Sequence, residues 1–285
     1  MTDAPATVAD AMRQTALALA EMHMPDPRRE ARLLLAVALD AEPLQLVTEP
    51  QRPMSASDRA ALSAALARRL AGEPLSRIAG TRGFWTLDLA ISPAVLDPRP
   101  ETELLVEQAL AHVRHRHNEP LRVLDLGTGS GCILLALLAE LPNALGIGVD
   151  RSQEALAMAR TNGESSDFAS RTLWVSGNWA DAITGSFDII ASNPPYIPAG
   201  ALATLDRSVR AHDPAAALDG GPDGLAAYRL LIPTIPRLLT SDGIACLEVG
   251  RGQAPQVAEM AAKIGCTTQI LVDFAGIQRC VTVMR

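Results

Sequence analysis

Val123-Leu124-Asp125-Leu126-Gly127-Thr128-Gly129-Ser130-Gly131-Cys132-Ile133 reads as an apolar strand, a glycine loop and the opening of an apolar helix. Glycines at such a junction let the backbone come close to a ligand, at a helix N-terminus whose free N–H groups point outward. The spacing is GxGxG, not the GxGxxG of dinucleotide folds or the GxxxxGK[ST] of a P-loop. About 20 residues on, the next apolar run ends in Gly148-Val149-Asp150, where a carboxylate is placed to accept hydrogen bonds from ribose hydroxyls. The combination points to a nucleoside-bearing cofactor with no strong demand for diphosphate recognition. The competing reading is that the glycines only make a tight turn and Asp150 caps the helix beginning near Ser152. Asp125, on the strand just before the loop, is placed to order it through backbone hydrogen bonds.

Outward from this junction the pattern alternates. Apolar runs at Leu121–Leu126, Leu145–Val149, Thr172–Val175, Phe187–Ser192 and Ile244–Val249 read as strands. Helical spacing marks Ile133–Leu141, Gln153–Arg160, Leu225–Leu239 and Gln256–Ile264. Such alternation predicts a parallel, doubly wound α/β sheet. Thr268–Asp273 and Arg279–Met284, around Gly276, read instead as an antiparallel pair. Residues 6–71 read as helical, with breaks at Pro25-Asp26-Pro27 and around Pro50 to Pro53, and with Ser55 or Ser57 as a helix cap. Between them, Gly72-Glu73-Pro74, Gly80 and Gly83 punctuate short segments before Phe84-Trp85-Thr86-Leu87-Asp88-Leu89, which reads as a hairpin. Pro98-Arg99-Pro100-Glu101-Thr102-Glu103 opens a further helix, with Pro100 near its start and the glutamates favoured by the dipole. The expected organisation is a helical domain over 1–73, a hairpin linker over 74–98 and the α/β domain over 99–285.

Composition narrows the class. The 285 residues are 48% hydrophobic and 20% charged, with a net charge of −7. A length prior of roughly 150 residues per domain fits two domains, one of them small. The acidic balance speaks against nonspecific duplex binding, which needs a basic face for the phosphates. Cys132, Cys246, Cys266 and Cys280 are scattered without a CxxC or a histidine cluster, so they are expected as small reduced hydrophobes and no metal site is expected. No apolar run reaches the roughly 18 residues of a membrane span. Met1-Thr2-Asp3-Ala4 lacks the basic region of a signal peptide, which makes a cytoplasmic address the default.

Directly after the Phe187–Ser192 run comes Asn193-Pro194-Pro195-Tyr196. Asn offers one carbonyl acceptor and two N–H donors. The two prolines hold the preceding residue extended, so the Asn is aimed, and their carbonyls are free to accept. Tyr196 adds a flat ring. These properties suit gripping a planar NH₂ group, such as an amide or an exocyclic base amine, although Pro-Pro after a strand is also a common sheet terminator. After the third strand, Ser176-Gly177-Asn178-Trp179 puts an indole where it would pack on a cofactor's base, or simply in the core or on the surface.

In this order the elements resemble the class I S-adenosylmethionine-dependent methyltransferases. More closely, the chain resembles the peptide-chain release factor glutamine N5-methyltransferases, the PrmC (formerly HemK) family. The matching segments are Gly72-Glu73-Pro74-Leu75, Arg99-Pro100-Glu101-Thr102-Glu103, Gly127–Gly131, Asn193-Pro194-Pro195-Tyr196-Ile197, Ala217-Leu218-Asp219-Gly220-Gly221-Pro222-Asp223-Gly224-Leu225 and Leu247-Glu248-Val249-Gly250. The resemblance implies a Rossmann-like, seven-stranded, mostly parallel sheet with an antiparallel last strand. It implies S-adenosyl-L-methionine held by Gly127, Thr128, Gly129, Ser130, Gly131, Asp150, Trp179 and Asn193, with S-adenosyl-L-homocysteine as product. Asn193, Pro194, Pro195 and Tyr196 would bind the glutamine, with Asn193, Pro194 and Tyr196 in the catalytic role. The protein substrate implied is a release factor, with no direct nucleic-acid or membrane partner. The chain departs from the family pattern at Asn178, where an acidic residue is frequent, and at Asp97, where Ile is common. The alternatives are a ribosomal-protein glutamine methyltransferase and a nucleic-acid exocyclic-amine methyltransferase.

Overall fold

The computed structural model describes residues 4–285, so the Met1-Thr2-Asp3 start lies outside the described residues. The chain divides into two compact units, one ending at Gly80 and one spanning Thr81–Arg285.

The first unit holds α1 (Val8–Glu21), α2 (Pro27–Leu39), α3 (Pro43–Thr48), α4 (Ala56–Leu70) and α5 (Leu75–Ala79). Capping chemistry sets their starts. The Asp26 carboxylate accepts the Arg29 N–H, and Pro27 fills the first turn, where its missing N–H costs nothing. Ser55, not Ser57, caps α4 through a reciprocal capping box with Asp58. Helix α3, which the helical spacing of the sequence does not separate, starts with Pro43 in its first turn and no side-chain cap. Val8, Ala11, Leu35, Leu46, Met54 and Leu62 form a small core.

The second unit opens with the antiparallel hairpin β1 (Thr81–Phe84) and β2 (Leu87–Ala90). Its turn, at Trp85-Thr86, falls inside the Phe84–Leu89 run that reads as a hairpin. Trp85 takes φ +57°, unusual for a bulky residue. Glu103 accepts its backbone N–H at 2.8 Å and Glu140 its indole N–H at 2.7 Å, and these bonds hold the turn. A 3₁₀ turn over Pro100–Thr102 leads into α6 (Glu103–His112). Then follow β3 (Arg122–Leu126), α7 (Cys132–Glu140), β4 (Leu145–Asp150), α8 (Gln153–Ser165), β5 (Thr172–Ser176) and β6 (Phe187–Ser192). An insertion with α9 (Arg207–His212) and α10 (Ala215–Leu218) precedes α11 (Ala226–Leu231), α12 (Ile235–Leu238), β7 (Leu239–Glu248), α13 (Ala254–Ala262), β8 (Thr267–Val272) and β9 (Gln278–Met284).

The seven strands lie in the order β5-β4-β3-β6-β7-β9-β8, all pairs parallel except those made by β9. The central strands are buried on both faces, which is why they read as continuous apolar runs rather than alternating ones. Leu124, Leu126, Ile190, Ala245 and Leu247 face a core shared with α11, α12 and α13. Val123, Ile189, Ala191, Ile244 and Cys246 face the other, shared with α6 and α7. Helix α7 is buried almost all round, from Cys132 to Leu138, and carries no polar face.

The sequence expectation of one helix over Leu225–Leu239 is corrected. Pro233 and Pro236 lack the N–H of a continuing α-helix, so the segment breaks into α11, a 3₁₀ turn at Ile232–Thr234 and α12, and Leu239 already belongs to β7. Among the described residues no helix is long and apolar enough to cross a membrane, and no group of His, Cys, Asp or Glu stands where it could hold a metal ion.

Candidate active site

Strand order reverses between β3 and β6: from β3 the chain steps to β4 and β5, then returns to the opposite side of β3. Open α/β sheets bind ligands at the carboxyl ends of strands where this happens. A cavity of about 360 Å³ lies there, lined by the glycine loop, Asp150, Trp179 and Asn193 among others.

The loop is built by its glycines and by the end of β4. Gly127, Gly129 and Gly131 take φ of +76°, +54° and +82°, values other side chains rarely tolerate. The Gly127 and Thr128 N–H groups both donate to the Val149 carbonyl at 2.9 Å. Asp150 then reaches back: its Oδ2 accepts the Gly129 N–H at 2.9 Å, while Oδ1 accepts the Ser152 N–H at 2.9 Å. Ser152 itself is the cap of α8, accepting the Ala155 N–H. Each Asp150 oxygen therefore keeps acceptor capacity for a further donor. The three glycines differ in surroundings. A side chain at Gly129 would meet nothing within 4 Å, whereas one at Gly127 would meet the Trp179 ring and one at Gly131 the Trp174 ring, each at 3.1 Å.

Asp125 orders the loop by a different bond from the backbone one read in the sequence. It is fully buried and accepts the Thr128 hydroxyl at 2.6 Å on Oδ2. Its Oδ1 has no hydrogen-bond partner. Burial pushes its pKa up to about 7, with the nearby charge of Asp150 adding to the rise and the Thr128 bond opposing it.

Opposite the loop, Asn193 follows β6, whose last residue is pinned by Ser192 Oγ donating to the Leu126 carbonyl at 2.6 Å. Asn193 Nδ2 donates to Thr102 Oγ1 at 3.2 Å, Thr102 donates to Glu248 Oε2 at 2.6 Å, and the Tyr196 hydroxyl donates to Glu248 Oε1 at 3.4 Å. Burial raises the Glu248 carboxyl to about 7 and also lifts the Tyr196 phenol. The Asn193 Oδ1 and the Pro194 carbonyl accept no hydrogen bond from the described residues, and Asn193 lines the cavity.

The Arg99–Glu103 motif now divides into separate tasks. Arg99 donates to Asp213 at 2.5 Å, tying down the insertion that supplies Pro214, Ala216, Ala217 and Asp219 to the cavity wall. Pro100 starts the 3₁₀ turn, Thr102 meets Asn193 and Glu248, and Glu103 holds the hairpin turn. Asp97, the departure from the family pattern, is buried and pairs with Arg82 at 3.6 Å and Arg99 at 3.9 Å. The Ala217–Leu225 motif packs on the backbone after Asn193. A side chain at Gly224 would come within 2.3 Å of the Tyr196 carbonyl, so only glycine lets the two segments approach.

Of the residues singled out in the sequence, Gly127, Thr128, Gly129, Ser130, Asp150, Trp179, Asn193 and Pro195 line the one cavity. Gly131 does not line it and packs on Trp174, Ala159 and Leu135 instead. Pro194 is buried, and Tyr196 turns its hydroxyl to Glu248; neither lines the cavity. Asn178 lines it while its amide donates to Asp181 at 3.2 Å. Sequence reading missed Thr102 and Glu248 as parts of the site, although both lie in quoted motifs. It also missed Asn162, which is buried and bonds to Ala90 and to the Ser130 carbonyl, joining α8, the hairpin and the loop. No spacing rule announces that last contact.

Known proteins resemble this chain over most of its length. The family described as PrmC N-terminal domain matches residues 10–80, and the methyltransferase small domain matches residues 92–210. The release factor glutamine methyltransferase of Rhodospirillum rubrum is 45% identical over 260 residues, covering 91% of this chain and 79% of that protein. That of Caulobacter vibrioides is 46% identical over 243 residues, covering 85% and 83%. Among solved structures, a methyltransferase from Pyrococcus furiosus superposes with a TM-score of 0.51 at 16% identity, covering 78% of this chain and 98% of that one, a likeness of fold alone.

Proposed function

The chain belongs to the release factor glutamine methyltransferase family, and from that premise we propose that it methylates the side-chain amide nitrogen, N5, of the glutamine in the Gly-Gly-Gln motif of peptide chain release factors, with S-adenosyl-L-methionine as donor. The modification supports translation termination. The observation that carries the reading is one cavity with a ribose-suited carboxylate, Asp150, on one wall and an amide acceptor, Asn193, on another.

The residues present suit the adenosyl group. Asp150 retains lone pairs toward ribose hydroxyls, Gly129 leaves open space over the loop, and the Trp179 ring offers an aromatic face to the base. S-adenosyl-L-methionine supplies, when bound, a methyl on a positively charged sulfur that leaves with the C–S bonding pair as S-adenosyl-L-homocysteine.

The rest of the chemistry falls to the protein. An amide nitrogen is a weak nucleophile because its lone pair is delocalised. Asn193 Oδ1 and the Pro194 carbonyl each accept one N–H of the substrate amide, which favours the positive charge developing on nitrogen as its lone pair forms the new bond to carbon. The same two bonds hold the nitrogen on the line of attack, removing orientational freedom before reaction. Tyr196, by this reading, braces the acceptor turn from behind through its bond to Glu248. No strong base is needed, since the methylated amide cation releases its proton to water. The helical unit is the docking module for the release factor.

Labelled S-adenosyl-L-methionine incubated with the protein and a release factor, a ribosomal protein or DNA tests the reading. Label appears in the release factor alone, on its Gly-Gly-Gln glutamine. Label in DNA or in the ribosomal protein, with none in the release factor, would replace it.

A further inference from the structure

We propose that Thr102 and Glu248 are positioning residues that set which edge of the Asn193 amide meets the substrate. The inference rests on the functional reading above for its consequence in catalysis, but on the geometry alone for the relay itself.

Three elements far apart in sequence converge: the 3₁₀ turn before α6 brings Thr102, the end of β6 brings Asn193, and the end of β7 brings Glu248. Glu248 is fully buried, and its own carbonyl is pinned by the Tyr228 hydroxyl at 2.7 Å. A hydroxyl has one proton to give. Thr102 gives its proton to the Glu248 carboxylate at 2.6 Å, so toward Asn193 its oxygen can only accept. Asn193 must then turn its NH₂ to Thr102, at 3.2 Å, and its carbonyl oxygen the other way. Rotating the amide by half a turn would oppose two oxygens with no hydrogen between them. It would also present N–H to the N–H of a substrate amide. The polarity of the grip is thus written by a carboxylate that never touches the substrate.

The relay reverses if Glu248 takes up a proton. The acid can donate to Thr102, Thr102 can donate to the Asn193 oxygen, and the acceptor is lost from the cavity. The groups around Glu248 are Glu101 from the 3₁₀ turn, which favours the protonated form, Arg279 from β9, which favours the carboxylate, and the neutral Tyr196, Tyr228, Cys132 and Cys280. Burial outweighs Arg279, so the switch falls near neutral pH, at about 7.

The test compares wild type with Thr102→Val, Thr102→Ser and Glu248→Gln under saturating S-adenosyl-L-methionine and release factor. Wild-type kcat rises with pH through about 7. Thr102→Val lowers kcat by about 10–100-fold, the usual scale for losing a supporting hydrogen bond, and flattens the acid limb, while cofactor affinity stays within about threefold. Thr102→Ser, which keeps the hydroxyl, retains both the rate and the limb; Glu248→Gln loses the limb. A purely structural role for Thr102 would not remove a pH dependence selectively. Independently of any substrate, the side-chain amide NMR signals of Asn193 follow the Glu248 titration in wild type and cease to do so in Thr102→Val. Wild-type transfer to the release factor with Thr102→Val unchanged in rate and pH profile overturns the relay alone. No transfer by wild type, with the Asn193 signals still titrating through Thr102, overturns the functional reading and supports the relay.

Discussion

Asn193 is one side chain with two jobs: its nitrogen is tied to Thr102 and its oxygen is left for the cavity. Replacing it by Ala removes the acceptor that the proposed mechanism sets on the developing charge. Asn193→Ala is therefore expected to lower kcat by roughly 10²–10³, with the dissociation constant of S-adenosyl-L-methionine changed little; calorimetry of cofactor binding beside single-turnover methylation separates the two. Turnover near that of wild type would remove Asn193 from the mechanism. The Asn was legible in the sequence because Pro-Pro aims it. Its orientation was not, because it depends on Thr102 and Glu248, which lie 91 and 55 residues away and carry no local signal for each other.

At the level of elements, apolar runs and glycine punctuation located the strands of the sheet, since a strand buried on both faces has no polar alternation to confuse it. Prolines misled where they sit inside helical spacing, as at Pro233 and Pro236. The Ala217–Leu225 segment was visible only as a motif; its packing on Tyr196 gives it a physical reason. Adding a methyl at Gly224 puts carbon 2.3 Å from the Tyr196 carbonyl at a residue with φ +77°. Gly224→Ala is expected to cost about 1–3 kcal/mol of stability, the range for overpacking and backbone strain. Urea denaturation reads this as a lower midpoint with an unchanged slope; an unshifted midpoint would mean that the segment yields freely.

For the whole molecule, buried carboxyls connect folding to pH. Asp125 has an ordinary value of 3.8 and rises to about 7 when folded, chiefly through burial. Between those values the folded state holds a proton that the unfolded chain has released. The contribution is thus fully present below 3.8 and lost as pH rises through about 7. Asp125→Asn cannot ionise, so wild type is expected to lose melting temperature relative to this variant as pH goes from about 5 to 7.5. A difference that stays constant across that range would show Asp125 charged throughout. The two compact units also predict separable functions. Deleting residues 1–80, the smaller unit, is expected to raise KM for the release factor at least tenfold, equal to about 1.4 kcal/mol, while titration calorimetry still detects cofactor binding. An unchanged KM would move the docking surface to the larger unit.

The sequence by itself determined the alternating α/β order, the glycine junction at Gly127–Gly131, the acid at the end of the next strand and the aimed Asn193. All of these are local: periodicity, backbone freedom and proline restriction act over a few residues. Tertiary structure alone decided that Arg99 anchors the insertion through Asp213, that Gly131 serves Trp174, and that Thr102 and Glu248 stand behind Asn193. Those are hydrogen bonds and packing contacts between distant segments, and their partners are chosen by where a twisted sheet brings its strand ends together.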